Sequence, residues 1–122
     1  MSEFTKQELD YLDEQRLGRL ATVGANSQPH VVPVGFRYDA DEDAIDIGGR
    51  DFAESKKFRE AKRNPRVAFV VDDLASIDPW QPRGIEIRGR AQTFDEGGER
   101  FGPGYDDAWM QIRPERIVSW GI

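Results

Sequence analysis

Two periodicities alternate along the chain, and each change is marked by a turn or a breaker. Between Phe4 and Arg16 the apolar positions Leu9 and Leu12, with Tyr11 beside them, form a narrow stripe at helical spacing. Thr5 followed three residues later by Glu8 is the residue pair of a capping box, and Phe4 stands where it can staple against Leu9. A helix is therefore predicted from there to about Arg16. From Leu17 the period drops to two, with Leu17, Arg19, Ala21 and Val23 on one face and Gly18, Leu20 and Thr22 on the other. Turn residues at 24–28 separate this strand from a second run, Pro29 to Tyr38, which predicts a hairpin. Pro33 within that run has no N–H for a ladder, so it marks an edge position, a bulge or a close approach by something else. Polar residues 39–43 lead into a short third strand, Ala44 to Gly48.

Helical spacing returns from Asp51 to Arg63, with Phe58 and Ala61 on one side, and Pro65 ends it because a residue before proline leaves the helical region. Arg66 to Val71 then reads as an apolar strand. Asp72 and Asp73 are read as turn residues closing it, since neighbouring carboxylates on a strand point to opposite faces and do not make a metal pair. Arg83 to Phe94 alternates Ile85, Ile87 and Gly89 against Glu86, Arg88 and Arg90, and Gln111 to Trp120 supplies the last strand. Residues 95–109, rich in glycine and acids, are expected as a surface loop. About six strands and two helices result, in the order helix, three strands, helix, three strands. That order argues against a doubly wound parallel sheet and for a mainly β (α+β) antiparallel barrel with helices packed on it.

At 122 residues the chain is the length of one domain, 1–122, and a sizeable ligand cleft is more easily built between two copies than inside one. No cysteine is present, which removes disulfides, thiolate metal sites and thiol nucleophiles, and His30 is the sole histidine. The polar, acidic N-terminal stretch has neither the basic start nor the apolar run of a signal peptide or membrane span, so a cytoplasmic protein is expected. A net charge of −6 disfavours nucleic acid and anionic membranes. The charge is uneven: residues 56–66 hold six basic side chains (Lys56, Lys57, Arg59, Lys62, Arg63, Arg66) against Glu60, leaving −11 on the remainder. A small anionic ligand suits that pattern better than a polymer.

The passage IDIGGRDFAESKKFREAKRNPRVAFVV concentrates this chemistry. A strand ending in Gly48-Gly49 feeds a helix whose first turns carry Ser55, Lys56 and Lys57, so backbone amides, a hydroxyl and two ammonium groups can converge on one anion. The residues alone are equally consistent with a solvated basic helix face.

SKKFREAKRNPRVAFVV resembles the helix-and-strand segment of the pyridoxamine 5′-phosphate oxidase-like superfamily, RLATVG with PHVVPVGFRYD its opening hairpin, and RGIEIRGRA a later barrel strand. DDLASIDPWQPRGIEIRGRA and the ending RPERIVSWGI are most similar to the branch that uses the deazaflavin coenzyme F420. The resemblance implies a homodimeric split β-barrel with the cofactor in a groove between subunits. The cofactor ring would lie against Val32, Pro33 and Val34, its phosphate at Gly48, Gly49, Ser55, Lys56 and Lys57, and Trp80, Pro82 and Arg83 would approach from the partner. In that reading Trp80 is a stacking wall or dimer packing, Arg83 an anion contact, and Trp120 a packing residue. Arg59, Lys62, Arg63 and Arg66 could extend the clamp along the acidic tail of the deazaflavin. Two departures from the resemblance make pyridoxamine phosphate oxidation itself the less expected activity: the sequence ends at Ile122, where a substrate-holding extension would follow, and Gly84 stands where the oxidases carry a flavin-contacting glutamine.

Hydride transfer from such a cofactor needs positioning, a dry pocket and a proton, from solvent, Tyr38 or Tyr105. His30 is more simply a hydrogen-bonded structural residue. The expected function is an F420-dependent oxidoreductase acting on a small unsaturated substrate. The alternatives are an enzyme of the same fold using FMN, and a non-catalytic carrier of the cofactor or of haem.

Overall fold

A computed structural model describes residues 2–122. The first helix, α1 (Lys6–Glu14), begins with the predicted capping box: Glu8 donates its amide to Thr5 Oγ1 at 3.1 Å, and Thr5 donates its amide to the Glu8 carboxylate at 2.9 Å. The other oxygen of Glu8 accepts from Ser119 Oγ at 2.6 Å, so the cap also ties the helix to the last strand. Tyr11 and Leu12 are buried, as the stripe requires, and Phe4 meets Tyr38 edge to face. The helix stops at Glu14, two residues short of Arg16, because Gln15 is already extended.

Seven strands follow: β1 (Leu17–Val23), β2 (Pro29–Gly35), β3 (Arg37–Asp39), β4 (Ala44–Gly48), β5 (Arg66–Ser76), β6 (Gln81–Phe94) and β7 (Trp109–Trp120). They form one antiparallel sheet in the order β2-β1-β5-β6-β7-β4-β3. The seventh strand comes from the run Pro29 to Tyr38, expected as one strand. It breaks at Phe36, with β2 pairing only with β1 and β3 only with β4. Those two strands are the opposite edges of the sheet and are joined by a single residue. The sheet must therefore curl until its edges meet, and β2 approaches β4 across the seam. The result is a split barrel. Inside it lie Leu20, Ile45, Ile47, Phe69, Val71, Ile85, Ile87, Met110 and Ile112, all fully buried.

Other boundaries also move. β5 runs on to Ser76, so Asp72 and Asp73 are strand residues rather than a turn, although they do face opposite ways: Asp72 bonds Arg19 and Asp73 bonds Arg83. The predicted helix from Asp51 is divided. A 3-10 turn (Phe52–Glu54) precedes Ser55, which is extended and caps α2 (Lys56–Arg63). Pro33 sits on the edge strand opposite Arg19, where a missing N–H breaks no ladder.

Gly84 lies opposite Trp120 in the β6–β7 ladder, and a Cβ there would stand 2.5 Å from the Trp120 ring. The glycine is required for the terminal tryptophan to lie over the sheet, so both residues serve packing. Among the described residues no helix is long and apolar enough to cross a membrane.

Candidate functional site

The site is assembled where β4 ends and α2 begins. Because the helix starts at Lys56 and not at Asp51, Lys56 and Lys57 occupy its first two positions, where backbone amides have no intrahelical acceptor. Among the described residues nothing accepts from these two amides. Lys57 is half-buried, lies 5.1 Å from the Phe52 ring and has no carboxylate within ion-pair distance among the described residues. Burial lowers its ammonium below the usual lysine range. Lys56 is exposed. Ser55 is committed as the cap: its hydroxyl donates to the Phe52 carbonyl at 2.7 Å and accepts from the Phe58 amide at 3.3 Å. Its single proton is thus spent within the chain.

The loop 95–109 closes one side and carries a 3-10 turn (Gly98–Phe101). Asp106 pins it, donating its amide to the Gly49 carbonyl at 2.9 Å and accepting from the Ala53 amide at 2.9 Å. Phe101 and Tyr105 then reach Gly48, where a Cβ would come within 3.3 Å of both rings. Trp109, which begins β7 at the end of this segment, stacks on Phe94 with centroids 4.3 Å apart. The loop is docked on the β4–α2 junction and not merely exposed.

The predicted extension of the clamp is largely engaged elsewhere. Arg59 folds back to donate to the Glu54 carbonyl, and Lys62 pairs with Asp95 at 3.3 Å. Glu60, the acid within the basic run, is buried under α2. It accepts from Thr22 Oγ1 at 2.7 Å and lies 3.0 Å from His30 Nδ1, and the Thr22 hydroxyl above all holds its carboxyl below the usual range. His30 is thereby a structural link between β2 and α2.

Of the residues expected to face the cofactor ring, Val34 is buried in the core, Val32 is half-buried and only Pro33 presents its side chain outward. Trp80 stands exposed in the turn before β6, at 67% of its surface. Pro82 and Arg83 belong to β6 itself. Arg83 is already paired: its guanidinium grips Asp73 through two bonds of 2.7 and 3.0 Å, and Tyr11 donates to the same carboxylate at 2.8 Å. Tyr38, one of two expected proton sources, donates to Asp43, whereas the Tyr105 hydroxyl has no partner among the described residues.

One element escaped the sequence reading. Asp46, in the middle of the buried strand β4, is completely enclosed, accepts from Gln111 Nε2 at 2.8 Å and from Arg37 at 3.1 Å, and burial pushes its carboxyl above the usual range. An aspartate inside the apolar run Ala-Ile-Asp-Ile-Gly was the available signal.

A curled antiparallel half-barrel with two lysines and unpaired amides at the β4–α2 junction defines the class. The chain belongs to the pyridoxamine 5′-phosphate oxidase family, whose model matches residues 4–120. It is 49% identical over 119 residues to a 5a,11a-dehydrotetracycline/5a,11a-dehydrooxytetracycline reductase of Streptomyces rimosus, covering 98% of this chain and 84% of that protein. Among solved structures it resembles a conserved hypothetical protein of Mycobacterium tuberculosis (25% identity, TM-score 0.75, 97% of this chain and 85% of that one). It shares its fold with an FAD binding protein of Mycobacterium smegmatis (20% identity, TM-score 0.71, 98% and 96%).

Proposed function

We propose that the chain is an oxidoreductase that holds a phosphate-bearing flavin-type cofactor at Lys56, Lys57 and the first amides of α2, and reduces a conjugated double bond in a small molecule. The observation that carries this reading is Lys57: a half-buried cation without a carboxylate, beside two amides without acceptors, is stabilised by an anion from outside the chain. Ser55 shapes the clamp as its cap, Gly48 and Gly49 let β4 turn into it, and Pro33 offers an edge without an N–H to an apolar ring. The reduced cofactor would supply the hydride, and the Tyr105 phenol, whose ring borders Gly48, would supply the proton. The relative's name, a reductase of a dehydro compound, supports the choice of reaction.

Coenzyme F420 is the leading cofactor, from likeness to that branch. FMN is the second reading, favoured by one observation: with Arg59 and Lys62 engaged inside the chain, the clamp offers one compact phosphate site more readily than a track for an acidic tail. The groove is completed by a second copy. Leu17, Val31 and Pro33 lie exposed on the outer face of β1 and β2, an apolar strip whose covering in a homodimer would bring Trp80 and Pro82 of one subunit toward the clamp of the other. Titration with each cofactor, followed by protein and cofactor fluorescence, tests the reading. Micromolar or tighter binding of one of them, lost at high salt, is expected, and no binding of either would overturn it. Turnover of an enone panel with the reduced cofactor separates an enzyme from a carrier, and sedimentation reads the dimer.

A further inference from the structure

Next to the clamp the chain forms a cleft that shares only Gly48 with the proposed cofactor-binding residues. It has a volume of about 260 Å³ and is lined by Gly35, Phe36, Arg37, Asp46, Gly48, Phe101 and Tyr105. It adjoins a hollow of about 310 Å³ on the α1 side, with Gly35, Phe36 and Tyr105 common to both. Three aromatic rings and two glycines make walls for something flat. Its one cation is held in place. Arg37 lies 4.8 Å over the Phe101 ring and gives one Nη2 hydrogen bond to Asp46, whose carboxylate is itself fixed by Gln111. The other guanidinium N–H groups have no acceptor among the described residues.

Gly35 is the telling position. It is a strand residue with an ordinary backbone, paired with Leu17, and a Cβ added there would meet nothing within 4 Å. Neither conformation nor packing within the chain calls for a glycine, and one in a strand costs stability. Gly35 lines both the cleft and the adjoining hollow, and the space it leaves open is continuous with them.

From this we infer that the cleft is the substrate site, and that it takes a flat, conjugated ring system bearing an ionised or enolic oxygen, which Arg37 receives while Asp46, itself fixed by Gln111, holds the guanidinium. The inference rests on the proposed cofactor reading, because Gly48 borders both sites and so brings the ring of a bound substrate beside the cofactor.

The test uses two probes, 2-hydroxy-1,4-naphthoquinone, ionised at neutral pH, and 1,4-naphthoquinone, which lacks the ionised oxygen; the chain has no cysteine for either to modify. Equilibrium dialysis in the absence of reductant is carried out on the full chain and on Gly35→Val, Gly35→Ala and Arg37→Gln. Gly35→Val is expected to weaken both probes by about tenfold or more and Gly35→Ala by less, with cofactor affinity unchanged and the unfolding temperature no lower than that of the wild type. Arg37→Gln is expected to weaken the hydroxylated probe alone, by about tenfold, a charge-assisted hydrogen bond's worth. Unchanged probe affinity in a folded Gly35→Val protein, or an unchanged ratio of the two probes in Arg37→Gln, would overturn the inference. If neither cofactor binds while the probe pattern holds, the cleft stands as a ligand site and the cofactor reading fails.

Discussion

Two basic sites, each expected from the sequence to meet an anion, end in opposite states. At the start of α2, Lys57 is half-buried without an acid to meet it. At the root of the β5–β6 hairpin, Arg83 is locked to Asp73 by two bonds, with Tyr11 and Gln15 donating to the same carboxylate and the guanidinium 5.0 Å from the Tyr11 ring. The first leaves a charge and two amides without an acceptor among the described residues. The second has used its capacity to hold α1 against the sheet. A basic residue is thus a candidate ligand only when tertiary structure leaves its charge uncompensated, and the comparison separates a site from a staple.

The largest effect expected is at the clamp. Lys57→Ala should weaken the cofactor by about 1.5–3 kcal/mol, the value of a hydrogen bond to a charged group, or on the order of 10- to 100-fold. Its unfolding free energy should stay within roughly 0.5 kcal/mol of wild type. Fluorescence titration and urea unfolding on the same preparations read both. The staple should answer in reverse: Tyr11→Phe removes one donor to Asp73 and should cost about 0.5–1.5 kcal/mol of stability with cofactor affinity unchanged. A loss of affinity in that variant would break the contrast.

Acid sharpens it further. Arg83 above all holds the Asp73 carboxyl below its ordinary 3.8. A folded-state value lower than the unfolded one contributes stability that is complete above about that pH and is lost as pH falls through the lower folded value. Asp73→Asn should therefore be less stable at neutral pH and show a shallower decline below about pH 4, followed by urea midpoint against pH. Asp46, raised by burial, acts with the opposite sign: stability is gained as pH falls through its raised folded value. The smallest effect belongs to Lys56→Ala, whose exposed ammonium should contribute about 0.2–1 kcal/mol to cofactor binding, disappearing at high salt.

The parts of the fold that could be read in advance are those decided by neighbours in the chain. Thr5 and Glu8 announce a capping box that the structure contains, and the alternation of Leu17 to Val23 assigns faces that burial confirms. What could not be read depended on distant partners. Nothing local in Pro29 to Tyr38 shows that Gly35 and Arg37 belong to opposite edges of the sheet, since the break at Phe36 is dictated by closure of the barrel. Asp72 and Asp73 look like turn formers until Arg19 and Arg83 neutralise them on a continuing strand. The division of the helix at Ser55 was hidden for a different reason: a serine can be a cap or a first-turn residue, and only its extended backbone decides.

The same distinction runs through the site. The sequence by itself determined the strand-to-helix junction at Gly48-Gly49, the Ser-Lys-Lys run that follows it and the local excess of positive charge, because turn chemistry and charge density act over a few residues. Only the tertiary structure decided which charges remain available. It brought Tyr11 to Asp73 across 62 residues and buried Asp46 beside Gln111 across 65, and it set Arg37 beside Phe101 at the mouth of a cleft left open at Gly35. Compensation of a charge is a matter of distance in space, and distance in space is what a chain acquires by folding.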